Sequence, residues 1–357
     1  MKGPHGFEDQ IGNRYVVKGF IGEGGMQYVY LAYDSVLDRN VALKTPKNAS
    51  AAKRFKRSAV VSAKVNHPNI AKTLDYVEID ERAYLIEELI IGDDLDGAIL
   101  KKINYIDPYL AAKIFHHLAK GLSAAHLAGV IHRDLKPTNI MIAGGFQLNE
   151  IKVTDFGIAK MASDELTEAA AGGNESLSMS LTAVGALPYM SPEAIDTPTE
   201  VGLPSDIWSL GAMMYHVIVG QPPYGIGLRI VKKILEASPP EFPHHLTSNP
   251  QFSPLAKQII DLILLCMQKD VSQRPTADTL VEKLSELCYP TITRHEGVIK
   301  SIHHNAWGFI TSDGPDVFFH LSSVFGKLPM PGDSVLFSKF DGGGAERAHP
   351  VVVTSKA

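Results

Sequence analysis

Residues 130–141, VIHRDLKPTNIM, constrain this chain more than any other stretch. They set a carboxylate, a lysine and an amide within six positions, Asp134, Lys136 and Asn139, and Asp155-Phe156-Gly157 follows soon after. That set suits phosphoryl transfer. An attacking hydroxyl needs an acceptor for its proton (Asp134), a cation near the developing charge (Lys136) and oxygen ligands for magnesium (Asn139 and Asp155). A polar loop of Asp, Lys, Asn and Pro can also be merely a turn. Order and spacing favour the chemical reading.

HRDLKPTN resembles the catalytic loop of eukaryotic-type protein kinases, and DFG resembles their metal-binding turn. Lys136 with Pro137 looks like the serine/threonine branch, in its bacterial-like form. The resemblance implies a two-lobed α+β kinase fold. It also implies transfer of the ATP γ-phosphate to protein Ser or Thr, autophosphorylation included, with Mg2+ or Mn2+ as the ion.

A length of 357 residues suits two or three folding units, and 45% hydrophobic with 20% charged residues describes a globular chain. A net charge of −5 provides no overall polycation for nucleic acid or anionic lipid, so such binding would need a local surface. The most apolar segments, 212–219 and 259–267, are interrupted by His216 and Asp261, so no membrane helix is expected. The first ten residues lack the apolar core of a secretory signal, and a cytoplasmic location is the expectation. Cys266 and Cys288 have no metal-ligand company and are expected in late helices as buried, reduced thiols.

Residues 14–32 read as strand, glycine turn, strand, around IGEGGMQYVYLA. Gly22 and Gly24 fit the kinase glycine-rich loop and Val29 the residue over the adenine, while Gln27 stands where a third glycine is usual. VALK at 41–44 reads as the strand that sends Lys44 toward the α- and β-phosphates. Residues 53–70 have a helical pattern resembling the regulatory helix that pairs a glutamate with that lysine, but Ser58 takes the glutamate's place. No acid occurs from Lys47 to Lys72, so Lys44 is expected to be held by Asp155 or by nucleotide. In residues 83–95 the resemblance puts the hinge, with backbone groups of Glu88 and Ile90 facing the adenine edge and Glu87 at the gatekeeper position. An acid there is expected to find a polar partner or carry a raised pKa. The resemblance carries nucleotide contact to Ile21, Gly22, Glu23, Gly24, Gly25, Val29, Ala42, Lys44, Glu88, Ile90, Met141 and Asp155.

Leu110, Ile114, Leu118 and Leu122 recur at helical spacing and lead into the catalytic loop. His116, His117 and His126 lie among them without an acid or thiol at ligand spacing, so a metal site there is not expected. After Asp155 comes a long segment rich in small residues, by resemblance the activation segment, with Ser176, Ser178, Ser180 and Thr182 as candidate phosphate acceptors and Arg133 as a partner for added phosphate. Ala186 replaces a threonine that in the family steadies the catalytic Asp and Lys. Asp206 resembles the carboxylate that caps the catalytic loop, and Arg274 the arginine that pairs with Glu193.

Beyond Pro290 short alternating runs replace helical spacing: GVIKSI, WGFITS, DVFFHL, DSVLF and PVVV. Five strands with Gly and Asp turns suggest a small all-β barrel of the oligonucleotide-binding type. NAWGFI and DVFFHL resemble the nucleic-acid motifs of cold-shock domains, although Ser301-Ile302 stands where that family has Trp-Phe. Alternation puts Trp307 and Phe309 on one face, with Phe318 and His320 on the matching face of the next strand and Lys300 nearby. Such rings suit stacked bases of single-stranded RNA or DNA; the alternative is that this face packs on the kinase lobe. Residues 292–357 hold six Lys or Arg and six Asp or Glu, so the module is neutral and its salt dependence should be shallow.

The expected organisation is a kinase domain over 11–288, with a small lobe to about 89 and a large lobe from about 90. A linker at 289–293 and a cold-shock-like barrel at 294–357 follow. Protein substrates and single-stranded nucleic acid are the expected partners, with no membrane. The competing reading is a pseudokinase scaffold that binds nucleotide weakly and acts through RNA or single-stranded DNA; Gln27, Ser58, Glu87 and Ala186 are the departures that favour it.

Overall fold

The computed structural model describes residues 3–24, 27–47, 55–56, 59–156 and 185–354. Gly25, Ser58, Gly157, Ser176, Ser178, Ser180 and Thr182 lie outside the described residues. Alternating apolar residues make the amino-terminal part a six-stranded antiparallel sheet, ordered β1-β2-β3-β4-β6-β5. Its strands are β1 (Gln10–Ile11), β2 (Tyr15–Glu23), β3 (Gln27–Asp34), β4 (Arg39–Pro46), β5 (Thr73–Ile79) and β6 (Arg82–Glu88). Tyr15, Val17, Tyr30, Ala32, Val41, Leu43 and Ile86 fill one face. On the other, Phe55 and Ala59, from a segment helical at 55–56 and 59–62, pack against Ala83 and Leu85.

The large lobe is helical, built on α1 (Pro108–Leu127), α2 (Leu203–Val219), α3 (Ser253–Cys266) and α4 (Ala277–Ser285). Asp107 starts α1, its carboxylate accepting from the N–H groups of Tyr109 and Leu110, with Pro108 next, where a missing donor costs nothing. Leu110, Ile114, Phe115, Leu118 and Leu122 then face the core beside Trp208, Met213 and Ile263. A small sheet of β7 (Gly92–Asp94), β8 (Ile140–Ala143) and β9 (Glu150–Val153) brackets the loop 131–139 on one side and Asp155 on the other. Among the described residues no helix is long and apolar enough to cross a membrane.

The carboxy-terminal residues form a closed five-stranded barrel, ordered β10-β11-β12-β14-β13. The strands are β10 (Arg294–His303), β11 (Trp307–Thr311), β12 (Val317–His320), β13 (Ser334–Asp341) and β14 (Glu346–Val353). Ile299, Ile310, Val317, Phe319, Phe337 and Val351 fill it. Gly308, between the two rings of β11, is required by packing: a Cβ there would lie 2.2 Å from the Ser301 carbonyl.

The barrel docks on the large lobe, and Phe325, Leu336 and Val352 join that lobe's core. Arg294 donates to buried Asp107 at 2.8 Å, Tyr109 and His349 share a 3.2 Å hydrogen bond, and His349 stacks on Phe252. Asn249 donates to the carbonyls of Ser322 and Val324. Cys266 is buried as expected, but Cys288 is exposed. The helical pattern stops at Ser285, leaving Cys288 in the connecting stretch, where Tyr289 is anchored to His116 at 2.9 Å.

Candidate functional site

The loop before β8 is shaped by one buried carboxylate. Asp206, near the start of α2, accepts from the backbone N–H groups of His132 and Arg133, both at 2.8 Å, and lies 3.0 Å from His126 Nε2. Two donors on one fixed carboxylate hold Arg133 in a left-handed conformation, φ 70°. His132 Nε2 in turn lies 2.8 Å from the Thr154 carbonyl, which ties the loop to the chain just before Asp155. Of the other α1 histidines, His116 meets Tyr289 and His117 meets Asn69 at 3.0 Å.

Asp134 emerges from this frame with one oxygen engaged. Lys136 Nζ donates to Asp134 Oδ2 at 2.7 Å, and Asn139 Nδ2 donates to the same oxygen at 3.0 Å and to the Asp134 carbonyl at 2.8 Å. The Asn139 amide oxygen is thereby turned away as an acceptor. The N–H of Thr154 donates to the Asn139 carbonyl at 2.9 Å, setting Asp155 beside the loop. The oxygens of Asn139 and Asp155 are the hard donors that magnesium takes, so the residues present fit that ion.

Asp155 stands in the left-handed region, φ 61°, and its Oδ1 accepts from Lys44 at 2.8 Å and from Gln27 Nε2 at 2.9 Å. Lys44 Nζ also contacts Glu87 Oε2 at 2.7 Å. The residue at the usual third-glycine position thus reaches the DFG carboxylate, and Gln27 Oε1 is left buried without a partner. Burial works to raise the Asp155 pKa, but the charge and hydrogen bond of Lys44, with help from Gln27, bring it below the ordinary value. Burial raises that of Glu87, which Lys44 only partly offsets. Burial pulls Lys44 down, yet the two carboxylates outweigh it and the net shift is upward. Lys44 therefore stays protonated, Asp155 ionised, and Glu87 is the acid of the three that takes up a proton first.

The other expected nucleotide contacts fall around this cluster. Ile21, Gly22, Glu23 and Gly24 lie on and beyond the end of β2, where Gly22 pairs with Val29 of β3. A Cβ on Gly22 would meet nothing within 4 Å, so the strand's outer side is open there. Ala42 is two residues before Lys44 on β4, and Met141 lies on β8 opposite Lys152. The Glu88 carboxylate is held by Lys152 and by the N–H of Lys72, both at 2.7 Å, and its own N–H donates to the Lys72 carbonyl. Its side chain is thus turned to protein. Ile90 follows in the short connection between the end of β6 at Glu88 and the start of β7 at Gly92.

Away from this cluster, Arg274 grips Glu193 through two bonds, 2.6 and 2.9 Å. Burial opposes ionisation of Glu193, but this pairing and the Ser205 hydroxyl lower its pKa to about 2. The barrel carries the remaining expected residues. Trp307 pairs with His320 and Phe309 with Phe318 across β11 and β12. The Trp307 ring lies 5.7 Å from Phe309 and 6.0 Å from Phe318. His303, which sequence reasoning missed, stacks on Trp307 at 4.5 Å, and the Arg347 guanidinium lies 5.9 Å over Phe318. His320 instead hydrogen-bonds Ser322, and Lys300 is paired with Asp316. The lobe-facing contacts run through Phe325, His349 and Arg294, on other parts of the barrel.

A two-lobed fold with an ordered Asp-Lys-Asn loop, a DFG carboxylate and a strand lysine defines a protein kinase. The protein kinase domain family model matches residues 15–284, and the chain belongs to that family. Similar proteins include a probable serine/threonine-protein kinase of Clostridium perfringens, 32% identical over 78% of this chain and 38% of its own length. The serine/threonine-protein kinase PknB of Mycobacterium leprae is 34% identical over 60% of this chain and 34% of its own. PknA of Mycobacterium tuberculosis is 32% identical over 71% and 57% respectively. The chain therefore spans between about a third and somewhat over half of these relatives.

Proposed function

We propose that this protein is a serine/threonine protein kinase that passes the γ-phosphate of ATP to protein hydroxyls, its own included. The observation that carries the reading is the Asp134, Lys136 and Asn139 constellation with Asp155 and Lys44 joined beside it. In this reading Asp134 accepts the proton of the incoming hydroxyl, through the oxygen that Lys136 and Asn139 leave open. Lys136 offsets negative charge as the phosphoryl group moves, and Lys44 with the backbone of residues 22–24 orients the phosphates. Asn139 and Asp155 would hold magnesium, which supplies neutralisation of phosphate charge when bound. The backbone of Glu88 and Ile90, with Ile21, Val29, Ala42 and Met141, would enclose the adenine. The similar proteins named above are serine/threonine kinases, one of them a probable one, which supports the choice of acceptor.

The test is incubation with γ-labelled ATP and magnesium, followed by mapping of labelled residues. Wild type should label itself on serine or threonine, and Asp134→Asn and Asp155→Asn should not. Equal labelling of all three refutes the assignment. Folded, nucleotide-bound protein that never labels anything favours the scaffold reading.

The barrel completes the proposal as a cold-shock-like module for single-stranded RNA or DNA. Trp307, Phe309 and Phe318, joined by His303, offer flat faces on which bases stack without sequence preference. The docking contacts through Phe325, His349 and Arg294 support it, since they leave these rings to a ligand.

A further inference from the structure

Lys44 is held from inside the sheet. Its partner Glu87 lies on β6, the strand hydrogen-bonded to β4, with Ala42 opposite Glu87 and Lys44 opposite Leu85. The two side chains are diagonal neighbours on one face of an antiparallel pair, a spacing that a lysine and a glutamate readily bridge. The contact is 2.7 Å, and both residues are buried, at 6% and 4% exposure. The chain between Lys47 and Lys72, which includes the helix packed on this sheet, contains no carboxylate that could do the same.

We infer that Glu87 is the positioning residue for the phosphate-binding lysine, and that it makes Lys44 competent without any movement of the segment helical at 55–56 and 59–62. The inference rests on the kinase reading above and adds to it how that site is set. A carboxylate carried by a neighbouring strand keeps its distance to Lys44 as long as the sheet is folded. One carried by a separate helix can be withdrawn. Lys44 is therefore permanently extended, its ammonium shared by Glu87 on the sheet side and Asp155 on the large-lobe side. Asp155 also receives Gln27, which leaves Glu87 as the partner that does not depend on how the loop after β9 or the glycine turn is arranged. Control of this enzyme must then act elsewhere than on a lysine–glutamate separation.

Initial rates of phosphate transfer, measured over a range of ATP concentrations together with melting curves, test this on wild type, Glu87→Gln and Glu87→Met. Both variants should fold, and turnover should drop about tenfold or more, as expected for one charge-assisted hydrogen bond. The drop should lie in kcat rather than in KM, because a misdirected lysine misplaces the phosphates while the adenine contacts persist. Adding Ser58→Glu to Glu87→Met, which returns an acid to the stretch between Lys47 and Lys72, should restore part of the rate. Unchanged kcat in folded Glu87→Met overturns the inference; if that variant does not fold, the isosteric Glu87→Gln decides in the same way. A wild type that transfers no phosphate would defeat the kinase reading instead. The positioning role is then decided by the rate at which an amine-directed reagent labels Lys44: faster labelling in folded Glu87→Met supports it, because the lysine has lost a carboxylate that holds it protonated, and equal labelling overturns it.

Discussion

Replacing Arg294 with methionine should loosen the barrel from the kinase lobe. Arg294 is the first residue of β10, and its guanidinium donates at 2.8 Å to Asp107, which is fully buried. Removing one member of a buried ion pair strands the other charge, a loss of about 3–5 kcal/mol. Asp107 keeps its two capping bonds to the N–H groups of Tyr109 and Leu110, at 3.1 and 3.3 Å, so the lower end, about 3 kcal/mol, applies. Arg294→Met with Asp107→Ser removes both charges and keeps a capping side chain, and should come back to within about 1 kcal/mol of wild type. The assay is denaturant unfolding followed by fluorescence. The chain has two tryptophans, Trp208 in the lobe and Trp307 in the barrel, so Trp208→Phe and Trp307→Phe backgrounds report on each part. A single variant within about 0.5 kcal/mol of wild type, or a double variant no better than the single, would refute the reasoning.

Three further outcomes are expected. Trp307→Ala and Phe318→Ala should each weaken binding of single-stranded RNA by about 1–3 kcal/mol in a fluorescence titration, with shallow salt dependence in the parent because the module carries no excess of basic residues. Arg274→Met should lower stability by about 3 kcal/mol in urea unfolding, since it leaves Glu193 charged and only partly exposed; the intact pair, with Glu193 depressed to about 2, should persist until the pH falls toward that value. Burial, with Lys120 and Lys113 nearby, pushes His117 down to about 4. The unfolded chain takes up that proton near pH 6.5 and the folded chain does not, so stability falls as pH drops between those values, and His117→Gln should flatten part of the decline in melting temperature.

The catalytic loop was legible because its chemistry is local. Asp134, Lys136 and Asn139 are five positions apart at most, and their mutual bonds follow once Asp206 holds the backbone. The barrel was legible for a similar reason, since alternation assigns faces strand by strand. Asp155 was legible as a partner of Lys44, but its second partner, Glu87, was not, because that contact depends on the register of β4 against β6, which neither strand's own pattern states. Glu87 instead showed itself as an acid where the wall should be apolar. His303 was missed because it is the last residue of β10, a strand carrying an irregularity between Ile299 and Ser301 that changes which residues face Trp307. The docking face was equally invisible: Arg294 and His349 find Asp107, Tyr109 and Phe252 only in the folded molecule, from positions far apart in the chain. Cys288 looked buried because the helical pattern was carried past Ser285, where the structure ends it.

The most direct measurement is the initial rate at which wild type and Asp134→Asn, both folded and at equal concentration, transfer label from γ-labelled ATP to a generic serine- and threonine-containing protein with magnesium present. The account predicts label on the acceptor's hydroxyl residues with wild type and at least a hundredfold slower transfer with the variant, about what a missing general base removes. Equal rates, or no transfer by a folded, ATP-binding wild type, would contradict it.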